Sequence, residues 1–494
     1  MKAFDNISNN ISEYEKINVR SAEKFHSFSQ VSSASEVNVA PDEVPDVKLL
    51  LAPGPSDRGF AIGLYQEHLE EIGFLFSQCK ALFSDPEINW PEVAEFEERL
   101  AAHVDAIELG EDLALRCARQ LLKSDDEEEM RAAAYTLTTV NGDQTMDDVL
   151  KTMVNADDEL ISYFVDALKH TSYKQTSDQL LQFLSHERPE ISLAAIEILD
   201  YRREGEERQL VPLLQDVNSK VISVAVQALG RLRHKDTIPY LERSLNYEDP
   251  TVQQNASLAL LRIGHYPAVK HLSTLCQGDP SAKWAAGYLA LSGRADDLHP
   301  LISAYNNLGM TSDVLKAIGV LGNVDAVEML ISELNSKDEA LRVAAGEALE
   351  LLTGAGLKET ITVVEKIDKD ELFEGEEPPE PGSEEVEHVC TSYDEWANWW
   401  NQNRSRFQST IRWRYGKPFD FGLCIDEIGG ENARFGDRQR AYLELVIRSG
   451  HDIPFEPDWF VAKQRESLHQ WQIWWQENRS IFAPGKWYFH GKET

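Results

Sequence analysis

The 494-residue sequence is short of basic side chains, poor in cysteine and without a long apolar run. Lysine and arginine number 48 against 84 aspartates and glutamates, a formal charge of −36. A protein that grips nucleic acid needs a basic stripe to neutralise phosphates, and one held on an anionic bilayer needs Lys/Arg clusters. Neither nucleic acid nor membrane is therefore an expected partner. Five cysteines, an odd count with no Cys-x-x-Cys pair, argue against a zinc site or a disulfide framework. The opening Met1-Lys2-Ala3-Phe4-Asp5-Asn6 lacks the apolar segment of a secretory signal, and stretches such as Phe74-Leu75-Phe76 are far short of a bilayer span. These absences predict a reducing, cytoplasmic location. No G-x-S-x-G, G-x-x-x-x-G-K-[ST] or H-E-x-x-H motif occurs. No catalytic residue, metal ligand or cofactor is expected.

What is present is unevenly placed. Residues 391–494 hold 14 basic and 14 acidic side chains, a net of zero, so the whole −36 falls in residues 1–390. Nine of the eleven tryptophans lie after residue 390. Two regions of different chemistry share one chain.

From about residue 111 the sequence repeats. Thr136-Leu137, Ala167-Leu168, Ala195-Ile196, Ala228-Leu229, Ala259-Leu260, Tyr288-Leu289, Ala317-Ile318 and Ala348-Leu349 recur at intervals of 28 to 33 residues. Each unit reads as an apolar helix, a short polar turn and a second helix with small residues on one face. Asp249-Pro250 and Asp279-Pro280 offer a capping carboxylate followed by a proline suited to the first helical position. One such unit cannot bury its apolar face, whereas about eight stacked units can. The period, the capping Asp and runs such as Met130-Arg131-Ala132-Ala133-Ala134 and Leu341-Arg342-Val343-Ala344-Ala345 resemble HEAT repeats.

The expected organisation is a flexible N-terminal arm at 1–57, with a short apolar segment Val47-Lys48-Leu49-Leu50-Leu51, then a helical cap at 58–110 and a repeat solenoid at 111–357. An acidic, Pro-rich linker follows at 358–390, and a Trp-rich helical module at 391–494. The fold class is all-α: a right-handed HEAT-repeat α-solenoid with a HEAT-like C-terminal module. Residues 368–387 carry ten acids against one lysine, which predicts a solvated, extended chain.

The C-terminal module is internally duplicated. Trp396-x-x-Trp399-Trp400-x-x-Asn403-Arg404-Ser405-x-Phe407 recurs as Trp471-x-x-Trp474-Trp475-x-x-Asn478-Arg479-Ser480-x-Phe482, and Gly416-Lys417 recurs as Gly491-Lys492. On a helix, the aromatic positions form one stripe, which predicts packing at the end of a solenoid. Trp and Arg also dominate binding hot spots, so Trp396, Arg404, Trp471 and Arg479 are candidate contact residues.

Two acidic clusters are the other candidates: Asp125-Asp126-Glu127-Glu128-Glu129 and Asp157-Asp158-Glu159. They fall where second helices should start, and the helix dipole accounts for part of that charge. The rest is a candidate field for a basic partner. His68 and His103 lie near Glu67, Glu71 and Asp105. Helical neighbours one or two apart do not face each other, so structural roles are expected there. His186-Glu187 is a lone pair, which argues against a HEAT-type di-iron hydroxylase.

A narrower resemblance rests on Glu67-His68-Leu69-Glu70-Glu71-Ile72-Gly73-Phe74-Leu75-Phe76, on Glu98-Arg99-Leu100-Ala101-Ala102-His103-Val104-Asp105-Ala106-Ile107, and on the run ending Gly416-Lys417-Pro418. Together they are similar to a HEAT-repeat family of Gram-negative bacteria whose genes stand near type VI secretion effector or PAAR-like spike genes. The resemblance implies a bacterial cytoplasmic protein in a secretion or toxin context and transfers no catalytic residue. Taken with the −36 charge, the expected function is a non-enzymatic immunity protein that binds and neutralises a basic effector by occlusion. An adaptor that loads an effector onto the secretion spike is the alternative, and a HEAT-like lyase a third.

Overall fold

The computed structural model describes residues 55–278, 282–308, 311–364 and 383–494. The chain divides into two units, Met1–Ala61 and Ile62–Thr494. In the first, residues 55–61 are helical, so the last three residues expected in the arm belong to a helix; residues 1–54, with the apolar segment, lie outside the described residues, as does the Asp279-Pro280 turn.

In the second unit, the eight predicted second helices are Glu127–Asn155, Ile161–His170, Pro189–Arg202, Ser219–Leu232, Pro250–Ile263, Ala285–Ser292, Ser312–Leu321 and Glu339–Thr353. Each packs against the next, so they form a ladder. The first is a second helix joined directly to the next unit's first helix, with the break marked by Asn141 at φ −147°, ψ 50°. The turns work as the composition predicts. Asp126, Asn218, Asp249 and Asp338 each accept a backbone N–H from the helix they precede, satisfying donors that have no partner inside the helix.

Small residues set the spacing of the ladder. A Cβ added at Gly230 would lie 2.5 Å from the Cα of Ala259, and one at Gly319 would lie 2.8 Å from the Cα of Ala348. Backbone meets backbone at both crossings, and backbone cannot step aside as a side-chain tip can. Gly230→Val should therefore cost about 2 kcal/mol or more by overpacking, beyond any helix-propensity gain of well under 1 kcal/mol. A urea titration should show the midpoint falling with an unchanged slope.

The described residues of the expected linker include two strands, and its residues 365–382 lie outside the described residues. Lys358–Val364 and Ser383–Val389 pair as an antiparallel ribbon, Lys358 opposite Val389 and Ile361 opposite Val386. The alternation Thr360-Ile361-Thr362-Val363 favours a strand locally, which the acid count of the segment conceals.

The C-terminal duplication folds as two copies of one device. Each begins with a helix of the ladder type, Glu339–Thr353 in one copy and Phe435–Ser449 in the other. Each continues into a Trp-bearing helix, Tyr393–Asn403 and Val461–Asn478. Each ends in a tight hairpin, Trp413–Arg414 paired with Lys417–Pro418 and Tyr488–Phe489 paired with Lys492–Glu493. Both turn residues have positive φ, Tyr415 at 48° with Gly416 at 68° and His490 at 51° with Gly491 at 78°, which is why glycine recurs there. Each hairpin then folds back onto its own first helix. Tyr415 and Gly416 donate their N–H groups to Leu351 O (2.6 Å) and Leu352 O (3.1 Å); His490 and Gly491 donate to Ile447 O (2.9 Å) and Arg448 O (2.8 Å). The last carbonyls of a helix lack intrahelical donors, and the turn supplies them.

Candidate protein-binding surface

The C-terminal module lies along the edge of the ladder formed by the C-terminal ends of the second helices. Helix Phe435–Ser449 packs beside Ala285–Ser292 and Pro250–Ile263. Buried arginines from the module reach the exposed helix ends. Arg412 donates to Leu321 O (3.1 Å) and Val320 O (3.0 Å), and Arg448 to Gly293 O (3.1 Å) and Ala290 O (2.8 Å). A guanidinium suits this place twice over: it fills unsatisfied carbonyls and faces the negative end of the helix dipole.

Those cations converge on one carboxylate. Glu444 is fully buried and contacts Arg412, Arg414 (2.8 Å) and Arg448 (3.2 Å), with Arg440 at 3.6 Å. Burial opposes its ionisation, but Arg412, Arg414, Arg448 and Arg440 outweigh that and hold it well below the usual carboxylate range. A second network runs the other way. Ladder-end arginines Arg203 and Arg231 meet Glu456 (2.7 and 2.8 Å), and Arg262 meets Asp452 (3.2 Å). The basic patch of an acidic protein is thus covered by the protein's own loop between Gly450 and Trp459.

The module also reaches the N-terminal helices. Both oxygens of Glu97 accept the N–H of Val461 (3.0 and 2.8 Å), and the Trp90 indole N–H donates to Gly430 O (3.0 Å). Arg438 lies 4.1 Å over the Trp90 ring; desolvation pushes its pKa down to about 9, so it stays charged at neutral pH. Desolvation drives Glu97 the other way, up to about 7, against the lowering by the Val461 N–H and Arg465. An acid raised on folding stabilises the fold fully below its unfolded value near 4.5, and that contribution is lost as pH rises through 7. Glu97→Gln keeps the acceptor and removes the charge. At pH 8 it should gain of order 2 kcal/mol, since one pKa unit is worth about 1.4 kcal/mol. Thermal unfolding at pH 5 and pH 8 should show the gain mainly at pH 8.

The opposite edge of the ladder carries the acids. A 14-residue helix such as Pro250–Ile263 separates its two ends by about 21 Å. Among the predicted residues, Asp126 caps its helix, Glu127 accepts from the Tyr163 hydroxyl, Glu128 from the Ser77 hydroxyl (2.6 Å), Glu129 from the Ser124 hydroxyl (2.5 Å), and Asp158 pairs with Arg188. Asp125, Asp157 and Glu159 are exposed, and no ion pair holds them among the described residues.

The aromatic candidates are corrected. Trp396 and Trp471 are fully buried core residues whose indole N–H groups donate to Cys390 O (2.7 Å) and Ile453 O (3.0 Å). They cannot serve as contact residues, because the stripe they belong to faces inward. Arg404 and Arg479, off that stripe, are exposed.

The five cysteines are free and buried. Among the described residues, no group of three or more His, Cys, Asp or Glu is placed to hold a metal, and no helix is long and apolar enough to cross a membrane. His68 and His103 face each other, Nδ1 to Nδ1 at 2.9 Å, as a pair between two helices. Sequence reasoning missed the buried arginine cluster around Glu444 and one cavity. A cavity of about 270 Å³ is lined by Lys169, Arg202, Trp459 and Lys463, residues up to 294 positions apart with no shared motif.

A family of HEAT repeats matches residues 207–292. No curated protein matches the chain. Among solved structures, the chain is similar to an engineered protein at 15% identity (77% of this chain, 88% of that one, TM-score 0.26). It is also similar to YibA of Escherichia coli at 15% (56% and 95%, TM-score 0.28). A second engineered protein is 20% identical (57% and 95%, TM-score 0.17). Arrays of such repeats build extended surfaces for holding other proteins. With its ladder of stacked helix pairs and the matched repeats, the chain is an all-α HEAT-repeat solenoid.

Proposed function

We propose that this chain is a non-enzymatic binding protein whose acidic edge receives a basic protein, and that it acts as an immunity protein that occludes a basic toxin effector. The observation that carries the reading is the segregation of charge. The arginine-bearing edge is neutralised by the chain's own module, while Asp125, Asp157 and Glu159 on the other edge stay exposed and without ion pairs among the described residues. Charges of this kind act mainly on encounter rate and partner choice. The toxin class comes from the family resemblance.

The test is genetic and then kinetic. Deleting the gene while a neighbouring toxin gene is kept should poison the cell, and the wild-type gene should restore growth. The triple variant Asp125→Lys, Asp157→Lys, Glu159→Lys should fold normally, restore growth poorly and bind the toxin about tenfold more slowly at low salt. Normal growth of the deletion strain with failed export of the effector would replace immunity by the adaptor role.

A further inference from the structure

We infer that the cavity beside Lys463 is a binding site for a small amphipathic anion, a carboxylate or phosphate head bearing a short apolar tail. The cavity opens where the start of helix Val461–Asn478 meets the ends of helices Ile161–His170 and Pro189–Arg202. Three cations, Lys169, Arg202 and Lys463, line it against one carboxylate, Glu204. Lys463 makes no ion pair among the described residues; its ammonium sits 3.6 Å over the Trp459 ring. Lys169 has a 3.7 Å approach from Glu197 and lies 5.5 Å over the Tyr201 ring, with no closer ion pair among the described residues. Arg202 is held in place by Thr171 O (2.8 Å), Tyr173 O (3.2 Å) and Glu204 (3.2 Å). Those three contacts leave part of its five-donor fork unused.

Two further features fit the same ligand. The indole N–H of Trp459, a residue of the cavity wall, is buried and has no acceptor among the described residues. A mixed crevice adjoins the cavity, sharing Lys169, His170 and Phe460 with it; Phe76, Phe83 and Leu100 form its apolar wall, while Lys80, Asp166 and Asp458 line the rest. His170, at the junction, is packed by the Phe76, Tyr201 and Phe460 rings, and desolvation keeps it neutral. The head would sit among the cations and the tail against the rings. Lys463 and Trp459 come from the C-terminal module while Lys169 and Arg202 come from the ladder, so the ligand would bridge the two and stabilise the folded chain by mass action.

Titration calorimetry of the full chain with hexyl phosphate, hexanoate and inorganic phosphate tests this. One site per chain is expected for hexyl phosphate or hexanoate, and the tighter of the two identifies the head group. Lys463→Gln and Lys169→Gln should each weaken it about tenfold, while Lys316→Gln, on another helix, should not. The melting temperature should rise with ligand in the wild type and less in the two variants. Absence of saturable binding at millimolar concentration, or binding unchanged in both variants, overturns the site. Inorganic phosphate binding as tightly as hexyl phosphate overturns the amphipathic assignment.

Discussion

Glu444→Gln is expected to cost about 3–5 kcal/mol at neutral pH, because it leaves several buried guanidinium groups facing one another without their counter-charge. Arg412, Arg414 and Arg448 are themselves fully buried, so water cannot replace the lost carboxylate. The loss should spread, since Arg412 and Arg448 are also the donors for the ends of two ladder helices. Guanidinium denaturation should show a much lower midpoint, and limited proteolysis should cut residues 391–494 first. The pH dependence has a defined sign. Glu444 is depressed on folding, so its contribution is present above its unfolded value near 4.5 and is lost as pH falls below it. Wild type should weaken in acid relative to the glutamine variant. Glu97, raised on folding, acts in the opposite direction between pH 4.5 and 7.

Trp471→Ala should be of similar size, about 3–5 kcal/mol for a large buried aromatic. Trp471 packs in a cluster that joins Cys79, Phe83, Trp90 and Val93 of the N-terminal helices to Phe419, Phe421 and Ile428 of the module. Truncation leaves a void at that junction and strips Ile453 O of its donor. Trp471→Phe should recover most of the packing and lose the hydrogen bond, at about 1 kcal/mol. Thermal denaturation of the three proteins should rank wild type, Phe and Ala in that order. If Trp471 were instead a contact residue for a partner, both variants would unfold like wild type.

The repeats were legible because their signals are local. Each marker pair lies in a second helix, and Asp249 caps its helix as its position before Pro250 predicts. The Trp duplication was legible for the same reason. Its role was not, because burial depends on what lies opposite, and Trp396 and Trp471 face the interior rather than a partner. The charged core was invisible for a related reason. Nothing local in the sequence buries Arg412, Arg414 and Arg448; the carbonyls of Val320, Leu321, Ala290 and Gly293, 91 to 158 positions away, do so, and Glu444 is buried among the arginines. The net charge hid the ladder-end arginines that Asp452 and Glu456 cover.

The central claim is that the solenoid carries its own C-terminal module as a built-in cover on one edge. Native-state hydrogen exchange at the turn amides of Tyr415, Gly416, His490 and Gly491 tests it most directly. Hairpin tips normally exchange at once, but these four amides are bonded to helix-end carbonyls. They should be protected as strongly as the second helices and lose protection only in global unfolding. Exchange within seconds while the second helices stay protected would contradict the account.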